Sequence, residues 1–308
     1  MAEIIQRDGT WTFDGDALQL VPGRDKNVGL LRKSLGELAV PLGALAGISF
    51  EQGKKTGRLR IRLRDGADPL LQSTGGRLTD SADPYLLTVE SDRYGVAEYF
   101  VDEIRGALLL DEVPATAVDR YLLPGPAVPL SVSAGDGTAS FDGERVRLEW
   151  NWKTEEAKSA SGARTLALAD IESVEWQPAV GLENGHLRFT VRSAPTKAPP
   201  KYDPNAVELW GFKKDPLMAL VAAAVQARLP HPTAPALAPA SASTPAPVSA
   251  LPQAAPTPAD APPKQLTPAE ADHDALLRRL RELGDLHKTG VLTDEEFTLA
   301  KQAVLKGM

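Results

Sequence analysis

The chain has 308 residues, enough for about two domains, and is 43% hydrophobic but only 6% aromatic, so an aliphatic core is expected. Its formal net charge of −7 argues against general nucleic-acid binding, which needs clustered Lys and Arg. The absence of cysteine excludes disulfides, thiolate catalysis, iron–sulfur clusters and thiolate zinc sites.

The N-terminus, Met1 to Arg7, has no basic segment followed by an apolar run, so no secretory signal is expected there. Gly9 to Phe13 and Ala17 to Leu20 read as alternating strands, with Phe13-Asp14-Gly15-Asp16 as the tight turn between them. Arg24, Lys26, Arg32 and Lys33 fall in what reads as a glycine-containing loop after that second strand. Lys54 and Lys55 make a turn, and in Arg58 to Arg64 the residues Leu59, Ile61 and Leu63 face one way while the arginines Arg58, Arg60, Arg62 and Arg64 face the other. That is the pattern of a half-buried antiparallel strand. Val96, Phe100, Val101, Ile104 and Leu108 then recur at helical spacing.

A second set of the same signals follows. Gly137-Thr138-Ala139-Ser140-Phe141-Asp142-Gly143 echoes Gly9-Thr10-Trp11-Thr12-Phe13-Asp14-Gly15. Leu166 to Trp176 echoes Val40 to Phe50, Gly185 to Val191 echoes Gly57 to Leu63, and Asp203 to Leu209 echoes Asp83 to Val89. The offsets, read from the first residue of each pair, are 128, 126, 128 and 120 residues. Four segments in one order at nearly constant offset indicate a duplicated unit. Leu217, Leu220, Val221, Ala224 and Val225 close the second copy with an expected apolar helical stripe. Each helix should cover its own sheets or the end of a barrel.

The order Phe-Asp-Gly, apolar strand, Val/Leu-Pro-Leu, Gly-Arg-Leu-Arg-Ile, Asp-Pro-Tyr, helix resembles a bacterial family known as domain of unknown function 4429, which occurs as tandem copies in actinobacteria. The match covers residues from about 3 to 229 and is weaker in the second copy, where Trp150-Asn151-Trp152 departs from it. Strand-rich units of this length with a terminal helix also look like the pleckstrin-homology (PH) and GRAM-like superfold. The resemblance implies an α+β chain of two tandem PH-like β-barrel or sandwich domains, residues 3–112 and 134–229, joined by a connector, 113–133. Fold similarity of this kind carries no function by itself.

Residues 230–265 differ in kind, with 11 Pro and 11 Ala among 36 residues. A disordered, semi-stiff spacer is expected, reaching on the order of 100 Å at roughly 3 Å per residue. A Pro-x-x-Pro ligand at Pro232 to Pro235 is the functional alternative. Beyond it, Thr267-Pro268-Ala269-Glu270 and Thr293-Asp294-Glu295-Glu296 are capping boxes for two helices. The stripe Leu276, Leu277, Leu280, Leu283, Leu286 continues through Phe297, Ala300 and Val304. With Lys288-Thr289-Gly290-Val291-Leu292-Thr293 between them, residues 266–308 resemble the SHOCT domain, a short helical hairpin. So small a hairpin buries too little surface to stand alone. Its face at Leu276, Leu280, Leu283, Phe297 and Val304 is therefore expected to mediate self-association.

Catalytic and metal patterns are weak. The histidines His186, His231, His273 and His287 have no ligand spacing. Gly47 to Gly53-Lys54-Lys55 has the wrong spacing for a phosphate loop and lacks its Ser or Thr. No Gly-x-Ser-x-Gly elbow occurs. Arg24, Lys26, Arg32, Lys33, Lys54, Lys55, Arg58, Arg60 and Arg62 are candidates for binding an anion or lipid headgroup, against the plainer reading of a solvated face paired with acids. Trp150 and Trp152, expected on one strand face near Trp176, are read as core rather than as a binding surface. The sequence thus points to a non-catalytic, cytoplasmic adaptor that needs no cofactor, binds a protein or peptide partner and self-associates through its hairpin. A peripheral membrane sensor using the basic residues of the first copy is the alternative.

Overall fold

The computed structural model describes residues 1–193, 196 and 198–233. The expected spacer beyond residue 233 and the expected hairpin with Leu276, Leu280, Leu283, Phe297 and Val304 lie outside the described residues.

The first repeat is a four-stranded antiparallel meander, β1 (Ala2–Gln6), β2 (Gly9–Phe13), β3 (Ala17–Pro22) and β4 (Leu38–Pro41), then a three-stranded one, β5 (Leu45–Glu51), β6 (Thr56–Leu63) and β7 (Leu86–Glu90). Helices α1 (Leu30–Leu35) and α2 (Pro69–Thr74) interrupt them, and α3 (Tyr94–Leu110) closes the unit. The second repeat has the same strand order, without a counterpart of α2 among the described residues: β8 (Leu130–Ala134), β9 (Gly137–Phe141), β10 (Arg145–Trp150), α4 (Glu156–Ser159), β11 (Arg164–Ala167), then β12 (Ile171–Gln177), β13 (Gly185–Val191), β14 (Ala206–Leu209), then α5 (Met218–Gln226).

The duplication holds to the level of strand register. Ala2 pairs with Phe13 as Leu130 pairs with Phe141, and Leu45 pairs with Leu63 as Ile171 pairs with Val191. A register shift follows Leu45 and again follows Ile171. Both Phe-Asp-Gly turns form as expected: Asp14 accepts from the N–H of Asp16 and Ala17, Asp142 from those of Glu144 and Arg145, and Gly15 and Gly143 sit at φ 117° and 112°. Strand β6 alternates exposed and buried residues along its whole length, with Leu59, Ile61 and Leu63 inside.

Each repeat's two sheets share one core, with Trp11, Leu18, Leu59, Leu87, Phe100 and Ile104 at the centre of the first. The strands form four separate sheets and no closed barrel among the described residues. At the junction of β4 and β5 the chain passes through a 3-10 turn, Leu42–Ala44, so the ladder is not continuous there.

Three expectations change. Residues 30–35 are helix α1, not loop. Helix α5 has no polar face: all of Met218 to Gln226 is buried. Its own repeat covers one side, and helix α2 of the first repeat covers another, placing Leu70 in the core of the second repeat with Leu31 and Ala82. The loop between β6 and β7 that carries α2 is longer than its counterpart between β13 and β14, which is what lowers the repeat offset from 128 to 120. Finally, β10 ends at Trp150, so Trp152 is off the strand and 89% exposed, while Trp176 is core.

The connector straps this junction. Val118 N–H donates to Asp65 O, Leu122 and Leu123 N–H to Ala67 O, and Gln226 Nε2 to the Tyr121 hydroxyl. A Cβ on Gly125 would stand 2.4 Å from Ala227 Cβ, so only glycine lets the strap approach this closely.

Candidate functional site

The first repeat carries a cleft of about 730 Å³ between the outer face of β6 and helix α2. Arg60 and Arg62 project from β6 into it because the strand period turns its alternate residues away from the core, and Arg64 joins them from the position just after the strand. Ser49 of β5 and Gln72, Gly75 and Gly76 around the end of α2 form the rest of the rim.

Helix α2 is fixed by its own cap. Pro69 starts it, the Asp68 carboxylate accepts from Leu70 N–H at 2.9 Å and Leu71 N–H at 3.2 Å, and Gly75 ends it in the left-handed region at φ 56°. The Tyr85 hydroxyl donates to the same carboxylate at 2.8 Å. Burial pushes the Asp68 carboxyl above its ordinary range, against the pull of those donors. Burial and the neighbouring Asp68 hold the Tyr85 hydroxyl well above its own range, so it stays a donor at neutral pH.

The arginines differ in how they are held. Arg60 meets Asp83 at 3.2 Å and Asp80 at 3.7 Å, and Arg58 also meets Asp80. Burial raises the Asp83 carboxyl, opposed by a backbone N–H and by Arg60. Arg64 donates to Thr116 O at 2.8 Å and Gly43 O at 3.0 Å. Arg62, exposed between them, has no side-chain partner among the described residues. Among the described residues the cleft thus presents one unpaired guanidinium flanked by two fixed ones, an arrangement suited to a carboxylate or another oxyanion.

The other expected anion-binding residues are not gathered here. Arg24 and Lys26 are exposed in the β3–α1 loop, Lys33 donates to Asp25 O, and Lys54 and Lys55 sit exposed in the β5–β6 turn. Arg32 is buried: it bonds Asp8 O at 2.9 Å and lies 3.5 Å from the Asp8 carboxylate. Among the described residues no cluster of three or more His, Asp or Glu is placed to hold a metal ion, and no helix is long and apolar enough to cross a membrane.

The Arg32 contact belongs to a bracket that both repeats build. Asp8 accepts from Arg32 and from Thr88 N–H of β7 at 3.0 Å. Asp136 accepts from Lys158 of α4 at 2.6 Å and from Glu208 N–H of β14 at 2.8 Å. In each case one carboxylate in the first hairpin ties the inserted helix to the second sheet. Burial raises the Asp136 carboxyl, with Lys158 opposing, and burial lowers the Lys158 ammonium, with Asp136 opposing. The Arg60–Asp83 pair likewise recurs as Arg188–Asp203, 3.1 Å apart. The repeated Asp-Gly-Thr at 8–10 and 136–138 was the available signal for the bracket, but its cations lie in helices too short to show a period.

The second repeat has a different end surface. Trp152, Val180, Leu182 and Phe212, all exposed, come from three separate loops, and Lys153 lies 5.2–5.6 Å from the rings of Trp152, Trp210 and Phe212.

No curated protein matches the chain. The family model described as Domain of unknown function (DUF4429) matches residues 11–105 and 139–226, one stretch in each repeat. With both halves of the duplication covered and more than half of the chain matched, this protein belongs to the DUF4429 family.

Proposed function

We propose that the chain is a non-catalytic binding module whose first repeat takes an acidic segment of a protein partner in the cleft between β6 and α2. The observation that carries this reading is Arg62, exposed in the cleft without a side-chain partner among the described residues, between Arg60 and Arg64, which are already held by Asp83 and by backbone carbonyls. A bidentate arginine–carboxylate contact gives orientation as well as attraction. The order of four strands, three strands and a closing helix supports reading each repeat as PH- or GRAM-like. The sequence of residues 266–308 supports a SHOCT-like hairpin that brings copies together and raises avidity. A chain without cysteine suits a reducing cytoplasm. Headgroup binding by the basic residues of the first repeat draws less support, because Arg32, Arg58 and Arg60 already face Asp8, Asp80 and Asp83.

The test is fluorescence anisotropy of the full chain with a labelled peptide of alternating Asp and Glu. The wild type should bind it in a salt-sensitive manner, and Arg62→Glu should weaken binding tenfold or more with unchanged thermal stability. Equal binding by wild type and Arg62→Glu, or none by the wild type, defeats the proposal.

A further inference from the structure

We infer that the exposed loop tips at one end of the second repeat form a contact surface for a phospholipid bilayer. This surface is separate from the arginine cleft and does not depend on the reading of that cleft.

Four large apolar side chains project there. Trp152 is 89% exposed, Leu182 wholly so, Val180 65% and Phe212 57%. They come from the loop after β10, the tip of the β12–β13 hairpin and the loop after β14. The loops are neighbours in space. Lys153 Nζ lies 5.3 Å from the Trp152 ring, 5.2 Å from Trp210 and 5.6 Å from Phe212, and a Cβ on Gly211 would lie 3.5 Å from Ala179 Cβ. Single exposed apolar residues are ordinary, whereas a cluster at adjoining tips marks a contact surface.

The tips are held, not loose. The Asp215 carboxylate accepts from the N–H of Trp210, Gly211 and Phe212 at 2.9, 2.8 and 3.0 Å, which fixes the turn that presents Phe212. Val180 and Glu183 close the hairpin tip through reciprocal N–H···O bonds of 2.9 and 3.0 Å and leave Leu182 at its apex. Trp210 Nε1 donates to Glu208, which also accepts from Asn184, so the two loops share one anchor.

The chemistry fits a bilayer better than a protein groove. Apolar tips carried on turns are convex and insert, whereas a peptide or helix partner needs a concave or flat face. Trp and Lys together suit the interfacial zone, the ring among the upper acyl carbons and the ammonium among headgroup phosphates. Lys153, held over three rings, and the exposed Lys213 and Lys214 supply the cations, with Glu155 and Glu183 partly opposing them. The near balance of charge makes apolar insertion the larger contribution, so binding should tolerate salt and neutral lipid and increase modestly with anionic lipid.

The test is co-sedimentation of the full chain with phosphatidylcholine vesicles and with vesicles containing 30 mol% phosphatidylglycerol, together with tryptophan quenching by brominated lipid. Both vesicle types should bind the wild type, the anionic ones several-fold more tightly, and bromolipid should quench its tryptophan emission. Trp152→Ser/Leu182→Ser/Phe212→Ser should lose binding at least tenfold with an unchanged circular-dichroism melt. Should that variant unfold, Lys153→Glu/Lys213→Glu/Lys214→Glu supplies the second arm, with a several-fold loss expected on anionic vesicles. Absence of wild-type sedimentation, wild-type-like binding by the variants, or no bromolipid quenching overturns the proposal. So does a wild type that ignores vesicles but changes from dimer to monomer when the tips are polar, which would make this face an interface between copies. Arg62→Glu should leave vesicle binding unchanged and the tip variant should leave peptide binding unchanged, so the two proposals fail separately.

Discussion

Replacing Asp68 separates the two tasks of one buried carboxylate. Asp68→Ala removes the cap of α2, worth about 1 kcal/mol. It also strands the buried Tyr85 hydroxyl at about 1–3 kcal/mol. The expected loss is about 3 kcal/mol, or about 6–12 °C in Tm for a unit of this size. Asp68→Asn keeps one side-chain oxygen, which can serve Leu71 N–H and the Tyr85 hydroxyl but not Leu70 N–H as well, and it removes a buried charge. Its net cost at pH 7 should be about 1 kcal/mol, well below that of Asp68→Ala. The pH dependence has a definite sign. Because burial raises the Asp68 carboxyl above the value it has in the unfolded chain, its contribution to stability is fully present below that unfolded value and is lost as pH rises through the folded-state value. The Asn variant should therefore gain on wild type between pH 4 and pH 7. Calorimetric melts of the three proteins across that range are the assay. Equal damage from Ala and Asn, or a gap between Asn and Asp that stays flat with pH, would refute the reasoning.

Lys158→Met leaves Asp136 as an unpaired buried charge and should cost about 3–5 kcal/mol, while Asp136→Asn/Lys158→Met should recover most of it; urea unfolding of both variants checks this. A chain ending at residue 233 should run as a monomer by light scattering, with the full chain at a multiple of its own mass; equal states for both would remove the self-association assigned to residues 266–308.

Much of the architecture could be read from residue order. The Phe-Asp-Gly turns, the alternation through Arg58 to Arg64 and the constant offsets each report a local periodicity that survives folding, and each appears in the strand registers. What could not be read was short or non-local. Helices α1 and α2 have six residues each, under two turns, so no apolar stripe could emerge. Arg32 looked like a surface cation because its acceptor, Asp8, is 24 positions away on another element. The stripe assigned to α5 was incomplete because Met218, Ala219, Ala222 and Ala223 on its other sides are apolar too, and only the arrival of α2 from the other repeat explains why they need no water-facing side. Of the cleft, the arginine face was visible, while the sorting of its members into held and free depended on Asp80, Asp83, Thr116 and Gly43 in three different loops or turns. Trp152 was misplaced because the strand pattern ran two residues past its true end.

The divergence of the two copies limits how far the duplication could grow. Repeat 1 carries a peg, α2, and repeat 2 a socket, α5; among the described residues no helix stands between β13 and β14, and α3 turns Asp102 and Glu103 to water where α5 is buried along its length and apolar up to Gln226. A head-to-tail contact whose halves were present in both copies would propagate into a filament. Here the complementary halves meet once within a chain and leave neither unmatched, so the pair closes on itself at two.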